Sequence, residues 1–88
     1  MIAQQTLEQV AETVERAGVS EAVLAELRQG FSGVHFSYCM DDDVGAAKPA
    51  LERPGFNLYL VDGREHCLSL TTDLAAATGL LVAEVIAE

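Results

Sequence analysis

A two-layer α+β domain is the fold this sequence predicts: an N-terminal helical hairpin and a C-terminal helix packed on one face of a three-stranded, mainly antiparallel sheet. Three observations predict it. Apolar residues recur at helical spacing through the first thirty positions, three later segments alternate with the period of a strand, and Asp62-Gly63-Arg64 joins two of those segments as a hairpin signal. With 88 residues the chain is one small domain. Such a domain leaves a large share of its surface exposed, so its core is thin and self-association would add stability.

The first helix spans residues 3–17. Leu7, Val10, Val14 and Ala17 lie on one face, with Glu8, Glu12, Glu15 and Arg16 on the other. Gly18 suits a left-handed C-cap. A second helix covers 20–30, with Ser20 as N-cap, Glu21 in the first turn, and Val19 and Leu24 at hydrophobic-staple positions. Val23, Leu24 and Leu27 form its buried stripe. So short a connection makes the two helices neighbours.

Strands follow at 34–40, 56–61 and 65–71. In the first, Val34, Phe36, Tyr38 and Met40 alternate with His35, Ser37 and Cys39. In the second, Phe56, Leu58 and Leu60 alternate with Asn57, Tyr59 and Val61. In the third, His66, Leu68 and Leu70 alternate with Cys67, Ser69 and Thr71. A three-residue loop at Asp62-Gly63-Arg64 pairs Phe56 with Leu70, Leu58 with Leu68 and Leu60 with His66, keeping apolar residues on one face. Residues 41–55 lack periodicity and contain Gly45, Pro49 and Pro54. They read as a long mobile loop that orders on meeting a cation or a basic partner.

The tail has two readings. Thr72 can cap a helix over 73–86, with Leu74, Thr78, Leu81 and Val85 on one face, although Gly79 disfavours it. Alternatively a helical turn ends at Ala77, Gly79 breaks it, and a strand runs from Leu80 to Ile86. The continuous helix is preferred.

Formal net charge is −9, from fourteen acids against five bases. That opposes nucleic acid and anionic membrane surfaces. It fits a protein partner that is itself basic. No stretch reads as a signal peptide, and the apolar run from Gly79 to Ala83 is far too short to span a bilayer, so a cytoplasmic location is expected. In that compartment the two cysteines are expected as free thiols.

Both cysteines and both histidines lie in two of the strand segments, and the first ends in Asp41-Asp42-Asp43. The sheet face away from the helices carries His35, Cys39, Tyr59 and Cys67, mixed enough to serve as a weak homodimer interface or a shallow ligand site. A closed zinc site is not expected: His35 and Cys39 would stand roughly 13 Å apart along a strand, and His66 and Cys67 point to opposite faces. The aspartate run lacks the spacing of a calcium loop and reads as a solvated turn or a contact surface. No nucleophile elbow, phosphate loop or dinucleotide fingerprint is present, so neither an enzyme nor a cofactor is expected. His35, Cys39, Tyr59, Cys67 and Asp41, Asp42 and Asp43 are therefore the candidate interaction or ligand residues. A small metal- or ligand-handling protein using the same groups is the alternative.

The run Tyr38-Cys39-Met40-Asp41-Asp42-Asp43, with the block from Phe56 to Thr71, resembles a small uncharacterised bacterial family associated with nitrogen-fixation gene neighbourhoods. The resemblance covers most of the chain. It implies a cytoplasmic accessory protein rather than a nitrogenase subunit, and it assigns no catalytic residue.

Overall fold

The computed structural model describes residues 2–44, 48–63 and 69–85. It is an α+β fold with two helices on a mixed, five-stranded sheet. Helix α1 (Gln4–Ala17) ends at Gly18, whose φ of 83° lets its N–H reach the Val14 carbonyl at 2.7 Å. Helix α2 (Glu21–Gly30) starts where the Ser20 hydroxyl accepts from the Val23 N–H at 3.2 Å. Leu7, Val10 and Val14 of α1 and Val23, Leu24 and Leu27 of α2 are buried, as their spacing predicts; Ala17 is exposed.

The sheet differs from expectation in strand count, in the tail and in one register. Strand β1 (His35–Met40) is followed by a 3₁₀ turn, Asp41–Asp43, and then by β2 (Leu51–Arg53) and β3 (Phe56–Asp62). Two short elements thus lie in what reads as a loop over 41–55. Proline does not prevent pairing there, because Pro54 sits in the turn between β2 and β3. With Gly55 at φ 88° it makes the Pro-Gly turn that pairs Arg53 with Phe56.

Strand β4 (Ser69–Thr71) pairs Val61 with Leu70 and Asp62 with Ser69. The three-residue hairpin loop is therefore wrong: the register is displaced, its parity is reversed, and Leu70 shares a face with Val61 and is exposed. The expected placements of Leu68, His66 and Cys67 lie outside the described residues.

The tail is a strand, not a helix over 73–86. Strand β5 (Gly79–Glu84) lies between β1 and β3, parallel to the first and antiparallel to the second. The cap signal at Thr72-Asp73 is real but short-lived. The Asp73 carboxylate accepts from the Ala75 N–H at 2.9 Å, the Asp73 carbonyl accepts from Ala76 and Ala77, and the turn ends there. The strand wins because it lies in the middle of the sheet. Leu80 and Val82 are fully buried under the helices and Ala83 is fully buried on the far side. A strand covered on both faces reads as a continuous apolar run and loses its alternation.

Strand order is β1-β5-β3, with β2 and β4 sharing the outer side of β3. The core lies between helices and sheet, where Phe36, Phe56, Leu58, Leu60, Leu80 and Val82 meet the two helical stripes. Tyr38, expected on that buried face, is 45% exposed; it lines an open cleft with Val19, Ser20, Glu21 and Leu24 at the start of α2. No helix among the described residues is long and apolar enough to cross a membrane.

Candidate functional site

The ladder places the mixed face in rows. Cys39 of β1 neighbours Ala83, which neighbours Asn57; Ser37, Leu81 and Tyr59 form the next row; His35, Gly79 and Val61 the third. His35 is exposed at the start of β1, four residues from half-buried Cys39. A strand rise of about 3.3 Å per residue keeps their side chains roughly 13 Å apart. Cys67 lies outside the described residues. Among the described residues, no three of His, Cys, Asp and Glu converge as metal ligands would.

Asp41 gathers the rest. The chain leaves β1 and makes its 3₁₀ turn so that one oxygen, Asp41 Oδ1, accepts from Tyr59 OH at 2.8 Å and from Asn57 Nδ2 at 3.0 Å. Tyr59 is only 3% exposed, and Val61 and Ala83 beside it are also buried, apart from the main core. The part of that face around Tyr59, Val61 and Ala83 is thus covered within one chain, while Ser37, Cys39 and Leu81 stay partly exposed and His35 is exposed. Asp41 acts as a clasp that fixes the acidic turn to the sheet, while Asp42 and Asp43 remain exposed. Within this clasp Asn57 is the residue not among the sequence candidates; its one signal is a polar side chain on an otherwise apolar strand, on the same face as Tyr59.

The electrostatics suit a clasp rather than a nucleophile. Burial pushes the Cys39 thiol above its ordinary 9.0, and the Asp43 and Asp41 carboxylates push it further the same way. Burial first, then the hydrogen bond to Asp41, raises Tyr59 above 10.0. Both groups hold their protons more tightly folded than unfolded. The stability they contribute is complete below those ordinary values and is lost as pH rises through the higher folded values. Urea midpoints are therefore expected to fall above about pH 9. Asp41→Asn removes the charge that opposes both ionisations, so its alkaline fall should be shallower. The same variant should lose about 1 kcal/mol near neutrality, as two charge-assisted bonds become neutral ones. An unchanged alkaline profile would contradict this placement of Asp41.

A second set of groups lies at the end of the sheet where β1 and β5 finish and β3 begins. Three shallow clefts open there around the α1–α2 connection and the Pro54-Gly55 turn. Their acidic lining is Glu15, Glu21, Asp41, Glu52 and Glu84. Among the described residues Arg53 is the one base that lines them, and it pairs with Glu15 at 3.5 Å. Tyr38 OH donates to Glu84, and that bond raises the pKa of the phenol. With Asp42 and Asp43 alongside, seven carboxylates frame one end of the sheet. Lys48 lines a separate cleft with Leu70 and Thr72.

A family described as "Family of unknown function (DUF6129)" matches residues 6–85. No curated protein and no solved structure matches the chain.

Proposed function

Within the Family of unknown function (DUF6129), to which the chain belongs, we propose that this protein is a small, cytoplasmic, non-enzymatic accessory module that binds a basic protein partner through the acidic end of its sheet. The carrying observation is the concentration of Glu15, Glu21, Asp41, Asp42, Asp43, Glu52 and Glu84 at that end, where the one base among the described lining residues, Arg53, is already paired with Glu15. Clustered carboxylates steer a basic surface into contact and repel phosphates, which fits a protein partner and disfavours nucleic acid. The Asp41 clasp supports the same reading, because it holds Asp42 and Asp43 in place before any partner arrives and so lowers the ordering cost of binding. Nitrogen fixation is the setting that the sequence resemblance implies, and it belongs to the proposal. The metal-handling alternative has no converging ligand set among the described residues to support it.

The test is affinity capture from the source organism, grown with and without fixed nitrogen. Wild-type protein is expected to retain a basic partner at low salt, more of it from nitrogen-fixing cells. The Asp42→Asn, Asp43→Asn double variant should retain distinctly less. Capture that ignores both salt and the two aspartates would count against the acidic end, and equal capture from both cultures would remove the nitrogen-fixation link.

A further inference from the structure

Among the described residues, strand β1 is the outermost strand of the sheet on its side. The His35 N–H donates to the Thr78 carbonyl. In a parallel ladder this turns His35, Ser37 and Cys39 toward β5 and leaves the backbone groups of Phe36, Tyr38 and Met40 facing outward. One of those groups is capped: Arg28 Nη2 donates to the Phe36 carbonyl at 3.3 Å. No lysine, proline or bulge protects the remainder of the strand, although such devices usually blunt an edge. Beside the edge lies a cleft of about 250 Å³, with Val19, Leu24 and Tyr38 as its apolar walls and Glu21 at its rim.

We propose that the outer edge of β1 is a strand-addition site for an extended, basic segment of the protein partner. Main-chain hydrogen bonds at Tyr38 and Met40 supply the pairing, and the cleft takes an apolar side chain from the incoming strand. Glu21, Glu84 and the exposed Asp42 and Asp43 select lysine or arginine at flanking positions. The same charges argue against a second copy of this chain. Edge-to-edge pairing would bring two such acidic ends together, on two molecules each of net charge −9.

This inference rests on the reading of the protein as an acidic interaction module, and its test separates the two. The probe is a short, capped peptide of alternating lysine and valine, matched to the length of β1. Amide exchange is followed by NMR on the full chain. Binding is expected to slow exchange at Phe36, Tyr38 and Met40 by about tenfold or more, with little change at Ser37 and Cys39, which already bond to β5. Tyr38→Pro removes an outward N–H without removing a ladder bond and should abolish binding. Glu21→Lys, on the surface of α2, should weaken binding several-fold and reduce its salt dependence; it carries the test if the proline variant does not fold. Peptide binding without slower exchange at these amides would overturn the edge site and leave the acidic-module reading standing. Failure of both the peptide and any basic protein to bind would overturn the two together. Sedimentation showing a dimer that Tyr38→Pro abolishes would overturn the choice of partner.

Discussion

Leu80→Ala is expected to destabilise the protein by about 2–5 kcal/mol, whereas Leu81→Ala should cost distinctly less. Leu80 is fully buried in the middle strand of the sheet, under the helices, between Phe36 of β1 and Leu60 of β3. Truncation leaves a hole that neighbours on three sides cannot easily fill. Leu81 points to the opposite face and is only partly buried. For a domain of this size each kcal/mol moves the melting temperature by roughly 4–8 °C, so thermal unfolding resolves the pair readily. The contrast also separates the two readings of the tail. A helix over 73–86 would bury Leu81 on the face it shares with Leu74 and Thr78, and the order of the two effects would reverse.

Gly79→Ala is the second large effect expected, at about 1–3 kcal/mol. Its φ is ordinary, so the cost is not one of backbone conformation. A Cβ there would stand 2.6 Å from the His35 carbonyl oxygen and 2.9 Å from the His35 Cβ. The first is a backbone atom of the paired strand, so β1 and β5 must separate where their parallel ladder begins. The substitution would favour a helix on intrinsic propensity, since alanine is better than glycine there by roughly 1 kcal/mol. Loss of stability on Gly79→Ala is therefore a signature of the strand, and a gain would contradict it. Ser32→Ala, at an exposed position between α2 and β1, serves as the neutral control.

The helical hairpin was legible because its signals are local. Ser20, Gly18 and the buried stripes at i, i+3 and i+7 need no knowledge of the rest of the chain. The alternation in β1 and β3 was equally plain, since each has one face against the core. Strand β5 was hidden by its central position: burial of Leu80, Val82 and Ala83 on two faces erased the period. Strand β2 was hidden by its length of three residues and by Pro54, whose place in the turn only the pairing of Arg53 with Phe56 reveals. The register of β4 is not legible because Asp62-Gly63 looks like a tight turn, yet Asp62 itself pairs with Ser69.

The candidate residues divide along the same line. Asp41 and Tyr59 stand out by type and face, but their contact spans eighteen positions and depends on where the 3₁₀ turn lands. Glu15, Glu21, Glu52 and Glu84 come from four separate elements. Nothing in their spacing announces that the α1–α2 connection, the Pro54-Gly55 turn and the end of β5 meet at one end of the sheet. That concentration is a tertiary property.

The proposed function places the partner at this acidic end. Titrating the isotopically labelled chain with the basic partner that affinity capture recovers, and following its amide resonances at low and at high salt, tests it most directly. Shifts are expected to concentrate at Val19 to Leu24, Tyr38 to Asp43, Glu52 to Asn57 and Glu84, fading as salt screens the carboxylates. Shifts centred on the outer faces of the helices or around Leu70 and Thr72, and indifferent to salt, would contradict it.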